Sequence, residues 1–230
     1  MKRHIPNFVT CLNLFSGCVG VVFALQGKYQ EAAYCVVLSG IFDFFDGLAA
    51  RALNVKSPIG KELDSLADVI SFGLLPGAIL YQLLQATFPG DGLIPYLGFV
   101  VTAFSALRLA KFNIDDRQTT DFIGLNTPMN AIYVTSLPFI AETYPHIVLH
   151  PAFLLGTVAL NSLLLVSSVR LFSMKLTSVS WNTDKWRFIF LIISAGLVIG
   201  LRFAAAPLVL GLYFLCSFLH FRNPSYPDKT

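Results

Sequence analysis

Nearly the whole chain is written in long apolar runs separated by short polar breaks, and that arrangement limits what it can fold into. Eight runs can be drawn, at about residues 8–25, 29–53, 61–87, 93–112, 127–143, 148–172, 186–202 and 204–221. A helix crossing a bilayer needs roughly 20 apolar residues, and several runs reach that length. The chain is 55% hydrophobic and 13% charged, against about 25% charged in a soluble domain, so it lacks the polar surface that water requires. The expected fold is an all-α, polytopic transmembrane helix bundle of about eight spans, a single domain over residues 1–230. The break between the last two runs rests on Arg202 alone.

Lys and Arg fall unevenly between alternate loops. With the N-terminus in the cytoplasm, one side collects Lys2, Arg3, Arg51, Lys56, Lys61, Arg108, Lys111, Arg117, Arg170, Lys175, Lys185, Arg187, Arg222 and Lys229, and the other has Lys28 and Arg202. Such a bias orients a membrane protein. It predicts an even number of spans, with both termini cytoplasmic and basic side chains beside anionic lipid headgroups. Met1-Lys2-Arg3 and the apolar stretch behind it look like a signal peptide. No small-x-small cleavage site follows, so the run reads as a retained first span. Trp181 and Trp186, flanking Asp184 and Lys185, read as interfacial anchors.

Cysteine and histidine carry little. Cys11, Cys18, Cys35 and Cys216 all lie inside apolar runs with no CxxC pair, and read as packing residues. His146 and His150 have the i, i+4 spacing of a metal pair. They flank a short loop without the Glu of an HExxH motif, so they are read as interfacial residues.

Acidic residues are different. Each one inside a span costs at least about 2.5–3.5 kcal/mol and marks function by default. Four fall in two adjacent segments, Asp43 and Asp46 in the second run, Asp64 and Asp68 in the third. At i, i+3 and i, i+4 each pair shares a helix face. The connection holding Asn54, Ser57, Pro58 and Gly60 should fold the two helices antiparallel, bringing both pairs to one point near the cytoplasmic surface. Two divalent cations would balance four carboxylates, and hard oxygen ligands suit Mg²⁺, Mn²⁺ or Ca²⁺. Paired metals of this kind serve phosphoryl chemistry. The small residues Gly40, Gly47 and Ala50 leave room near Asp43, and Arg51 could reach a phosphate. On the residues alone, metal-assisted catalysis and the acidic ion pathway of a cation transporter both stay open.

The run from Asp43 to Asp68 resembles the signature of the CDP-alcohol phosphotransferase family, D-x2-D-G-x2-A-R-x8-G-x3-D-x3-D. Asp43, Asp46, Gly47, Ala50, Arg51, Gly60, Asp64 and Asp68 fill every fixed position. Pro6-Asn7-Phe8-Val9-Thr10 is similar to the P-N-x-x-T start of the family's first helix. The resemblance implies a six-helix catalytic core, here followed by two further helices, and a homodimer with a polar cavity opening to the cytoplasm. By position, Asp43, Asp46, Asp64 and Asp68 would bind two divalent metal ions, with Asp68 also the general base. CDP-diacylglycerol would be held around Asn7, Thr10, Gly47, Ala50, Arg51, Ser57 and Gly60. The implied location is a membrane, the bacterial inner membrane, with the site facing the cytoplasm; membrane lipids are partners and no nucleic acid is expected.

The acceptor alcohol rests on later segments. Arg108-Leu109-Ala110-Lys111-Phe112-Asn113 and Phe122-Ile123-Gly124-Leu125-Asn126-Thr127-Pro128 look like the matching regions of the family's serine phosphatidyltransferases. Lys111 stands where Arg is common and Asn126 where Pro is common. L-serine is the implied acceptor, with Arg108 and Lys111 as candidates for its carboxylate; read blandly, these and Arg117 are ordinary loop charges. Glycerol 3-phosphate or an inositol phosphate is the nearest alternative.

Overall fold

The computed structural model describes residues 4–55, 57–90, 92–114, 122–172 and 181–222. Lys2, Arg3, Lys56, Arg117, Lys175 and Lys229 of the orientation argument lie outside the described residues, as do the side chains of Trp181 and Asp184.

In hydrocarbon a helix satisfies its own backbone groups, and the apolar runs fold accordingly. In chain order they form α1 (His4–Leu25), α2 (Tyr29–Ala52), α3 (Pro58–Asp68), a π-helical turn at Val69–Leu74 and α4 (Leu75–Thr87). A 3-10 turn at Ile94–Phe99 leads into α5 (Val100–Ile114), followed by α6 (Thr127–Thr143), the short α7 (Pro145–Val148) and α8 (Pro151–Val166). The chain finishes with α9 (Trp181–Leu201) and α10 (Ala206–Phe221), joined by a 3-10 turn at Arg202–Ala205. Five stretches are long and apolar enough to cross a membrane: His4–Leu25, Tyr29–Ala52, Pro58–Thr87, Ile94–Ile114 and Lys185–Phe221. The protein is an all-α polytopic membrane bundle.

The expected break at Arg202 is real. Arg202 takes a left-handed φ of 51°, and the chain folds back there, so that Phe190 of α9 lies 5.5 Å from Tyr213 of α10. Phe172 packs edge-on against both rings, at 5.8 and 5.1 Å, and the Tyr213 hydroxyl donates to its carbonyl at 2.8 Å. This aromatic knot ties the α9–α10 hairpin to the rest of the bundle. Outward, Ile192, Ile199 and Phe218 stay exposed, as suits a lipid-facing surface.

One expected boundary is corrected. The run at 148–172 is not a single helix: α8 ends at Val166, and Arg170–Leu171 pair antiparallel with Phe122–Ile123. Gly124, at φ 77°, lies so close to the end of α8 that a Cβ would meet the Leu165 carbonyl at 2.8 Å. Leu125 N–H donates to the Leu164 carbonyl at 2.9 Å. The segment entering α6 is thereby docked on α8. His150 caps α8, its Nδ1 accepting from the Ala152 N–H at 3.3 Å, which is a local structural role.

The rod Pro58–Thr87 runs through the middle of the bundle, with Leu75, Pro76, Gly77, Ala78, Ile79 and Leu80 buried in succession. A helix stretch buried on all sides must be apolar all round, and the stretch 75–80 is, while α3 ahead of it carries Lys61, Glu62, Asp64 and Asp68 on a partly exposed surface. Pro76 removes a backbone donor and crowds the preceding turn; the wider π turn just ahead of it absorbs that misfit. On α1 the buried positions are Pro6, Thr10, Asn13, Ser16, Gly17, Gly20 and Ala24, one helix face made only of small or polar residues. Such a face lets helix backbones approach closely and hydrogen-bond across the gap. Ser39 and Ser71 both donate to the Asn13 carbonyl, at 3.3 and 3.0 Å. Ser16 donates to the Cys35 carbonyl at 3.1 Å.

A Cβ on Gly17 would fall 2.3 Å from Ser71 Oγ and 2.9 Å from Ser71 Cα. Gly17→Leu is therefore expected to destabilise the bundle by about 1–3 kcal/mol or more, seen as a lowered thermal midpoint in detergent. Gly156, with open space around it, is the control: Gly156→Ala should leave the midpoint unchanged or raise it slightly.

Candidate active site

Three helix ends meet at the site: the start of α1, the end of α2 and the start of α3. α2 ends where Leu53 N–H bonds back to the Ala49 carbonyl at 2.9 Å and Asn54 turns left-handed at φ 52°. α3 begins at once, with Pro58 in its first turn and the Ser57 hydroxyl accepting from the Gly60 N–H at 3.3 Å. Serine at the cap and proline just inside are the residues a helix start favours. The short connection brings the end of α2 and the start of α3 to one point, but the two helices are not the direct neighbours that the spacing predicted: α1 packs against both.

The aspartates meet, though not as four equals. Oxygens of Asp43, Asp64 and Asp68 lie within 4.8 Å of one another. Asp46 stands apart from that trio: its Oδ2 accepts from the Thr10 hydroxyl at 2.7 Å. Asp68, buried, accepts from Asn13 Nδ2 at 3.3 Å through Oδ1. Asp64 Oδ1 is buried without a hydrogen-bond partner among the described residues. Three clustered carboxylates, one with an orphaned oxygen, make a hard-oxygen donor set of the kind that suits a divalent cation.

Two cavities flank the trio. The first, about 480 Å³, is lined by Asn7, Thr10, Asp46, Gly47, Ala50, Ser57, Gly60, Lys61 and Asp64, with Pro6, Val55 and Pro58 completing the wall. It contains every residue expected to hold the nucleotide lipid except Arg51, which sits exposed in the last turn of α2 and outside the lining. There its charge complements the helix C-terminus. The second cavity, about 300 Å³, lies between α3, α5 and the start of α6. Asp43, Asp64 and Asp68 form one side; Arg108, Phe112, Asn113, Asn126 and Thr127 stand among the residues opposite. Arg108 is only 7% exposed, and its Nε has no hydrogen-bond partner among the described residues. Lys111 is exposed and does not line this cavity. Of the two residues expected to meet the acceptor, the fold brings Arg108 to the aspartates and leaves Lys111 at the surface.

Several residues escaped the sequence reading. Asn13 follows Thr10 by three positions on the same face of an apolar helix, and that spacing could have flagged it. Lys61, Ser65 and Asn113 had no such signal. Lys61 Nζ donates to the Asn113 carbonyl at 2.7 Å, and Asn113 Nδ2 donates to Ser65 Oγ at 2.8 Å, joining α3 to α5 beside the second cavity. Thr127, buried and with no hydrogen-bond partner for its hydroxyl among the described residues, lines the same cavity next to Asn126, which caps α6 by accepting from the Met129 N–H at 2.8 Å.

Three carboxylates, Asp68 buried and Asp43 and Asp64 half-buried, border cavities at one end of a membrane bundle, a donor set suited to a divalent cation and an anionic ligand. Comparison with known proteins agrees. The model of the CDP-alcohol phosphatidyltransferase family matches residues 3–171, and the chain belongs to that family of membrane enzymes. It is similar to a CDP-diacylglycerol–serine O-phosphatidyltransferase of Helicobacter pylori, at 34% identity over 91% of this chain and 87% of the relative. A protein of the same name from Bacillus subtilis is 34% identical over 73% of this chain and 89% of its own length. One from Saccharomyces cerevisiae is 42% identical over 48% of this chain and 41% of the yeast protein. The matched family region ends at the aromatic knot, just before the α9–α10 hairpin.

A hydrogen bond to a charged group contributes about 1.5–3 kcal/mol. Thr10→Val keeps the side-chain shape and removes the donor to Asp46. Its rate of CMP release in the family reaction is expected to fall about tenfold or more, with the thermal midpoint little changed.

Proposed function

We propose that this chain transfers the phosphatidyl group of CDP-diacylglycerol to L-serine, giving phosphatidylserine and CMP. The observation that carries this reading is the placement of Asp43, Asp64 and Asp68 against a cavity whose far side holds the buried guanidinium of Arg108. The names of the relatives supply the acceptor, and Arg108 supplies a cation for its carboxylate. Family membership sets the transporter reading aside.

CDP-diacylglycerol occupies the first cavity, its nucleotide and diphosphate along Asn7, Thr10, Gly47, Ala50, Ser57 and Gly60, while its acyl chains remain in lipid. Gly47 and Gly60 leave room there, and the Ser57 cap and the Asn7 side chain offer polar contacts. Arg51 is left as a peripheral charge that attracts the anionic headgroup. Two divalent cations, Mg²⁺ or Mn²⁺, fit the donor set of Asp43, Asp46, Asp64 and Asp68 and would screen the diphosphate and the charge leaving with CMP. Serine enters the second cavity with its carboxylate on Arg108 and its hydroxyl toward Asp68. Asp68 takes the hydroxyl proton as that oxygen attacks phosphorus. Asn13 holds one oxygen of Asp68 and leaves the other for the proton. Lys111 raises the positive potential at the entrance.

The basic bias of the loops at this end of the bundle supports a cytoplasmic site with both termini on the same side. A homodimer in the bacterial inner membrane completes the reading.

An acceptor panel tests it: purified chain with CDP-diacylglycerol should release CMP with L-serine and not with glycerol 3-phosphate or inositol phosphates. Release with a phosphorylated acceptor alone would overturn serine. Asp68→Asn is expected to lower turnover about a hundredfold or more while the protein stays folded; wild-type rates would remove the base assignment. Excess EDTA should abolish CMP release, and added Mg²⁺ or Mn²⁺ should restore it; full activity with metal shown to be absent would remove the cations from the mechanism.

A further inference from the structure

Two cavities on either side of one reaction centre define where the transferred group must sit. The donor occupies one, the acceptor the other, and the phosphorus passes between them. Any side chain lining both cavities borders that passage. Among the described residues two do so, Asp64 and Lys61. Asp64 belongs to the carboxylate trio. Lys61 has no part in the signature motif, and nothing in the proposed reaction has used it.

Lys61 stands one turn before Asp64 on α3, at i, i+3, so the two share a helix face. Its ammonium makes one hydrogen bond among the described residues, to the neutral carbonyl of Asn113 at 2.7 Å. An ammonium has three donors, so that bond steers the charge and leaves two N–H groups for a ligand. Among the described residues no carboxylate is hydrogen-bonded to the ammonium. A cation fixed by a neutral partner, at the boundary between donor and acceptor, is placed for an anion that appears there during the reaction.

We propose that Lys61 is a catalytic residue that donates hydrogen bonds to a non-bridging oxygen of the phosphatidyl phosphate under transfer. This rests on the phosphatidyl-transfer reading above. In the step, the acceptor hydroxyl oxygen forms a bond to phosphorus, and the diphosphate P–O bond breaks with its electron pair leaving on CMP. The hydroxyl proton goes to Asp68. Negative charge spreads over the non-bridging oxygens as the two bonds exchange, and Lys61 meets it there. The Asn113 carbonyl holds the ammonium in place beforehand, so little reorganisation is needed at the moment of reaction.

The test compares Lys61→Met and Lys61→Arg with wild type, as purified full-length protein in detergent with CDP-diacylglycerol, L-serine and saturating divalent cation. Lys61→Met is expected to lower kcat about a hundredfold, with the serine KM within twofold of wild type and an unchanged thermal midpoint. Lys61→Arg, which keeps the charge, should recover a large part of the rate. A kcat for Lys61→Met within threefold of wild type overturns the proposal. So does a raised serine KM at unchanged kcat, which would make Lys61 an acceptor ligand. Equal loss in both variants together with a lowered thermal midpoint would make it only a strap between α3 and α5. If wild type releases CMP with another acceptor and not with serine, the serine reading fails and the same comparison is run with that acceptor. If wild type releases CMP with none, phosphatidyl transfer and this role of Lys61 fall together.

Discussion

Holding three carboxylates within 4.8 Å of one another inside an apolar bundle sets the terms for everything around them. Like charges at that separation repel by several kcal/mol in a low dielectric, and the desolvation of each adds to the cost. Such a cluster persists only if the scaffold is rigid and the negative charge is reduced, by protons or by bound cations. The scaffold is rigid here because α1 turns a small and polar face toward α2 and the central rod. Asn13 sits at the crossing, its carbonyl taking hydroxyls from Ser39 and Ser71 and its amide reaching Asp68. One residue thus links α1, α2 and the π turn to Asp68.

The surrounding architecture follows from keeping that cluster accessible from two sides. The α2–α3 connection, capped by Ser57, opens the first cavity. The docking of Gly124 and Leu125 on the end of α8 aims the start of α6 at the second. The two cavities meet at Asp64 and Lys61, which line both. Lys61 and Asp64 stand on the shared wall, one cation and one anion.

Beyond the matched family region, the α9–α10 hairpin is joined to the core through Phe172, Phe190 and Tyr213. The hairpin packs against α6 and against the Arg170–Leu171 strand. Its outer surface is apolar and lipid-facing.

Much was legible in the residues alone. Runs of apolar residues dictated membrane helices, because no other backbone arrangement satisfies its polar groups in lipid except a closed barrel. The i, i+3 and i, i+4 spacing of the aspartates, with a short turn between, brought the pairs together, because helical periodicity is local. The fold-back at Arg202 was likewise marked by one charge in an apolar stretch. Tertiary structure decided the rest. Asp46 stands apart from the trio against Thr10, Arg51 and Lys111 turned to the surface, Lys61 and Thr127 came to the cavities, and Asn13 came to Asp68. Those outcomes depend on which face of each helix meets its neighbours and on where a side chain ends after packing. Spacing along a chain specifies the face that residues share; contact between helices specifies what that face touches.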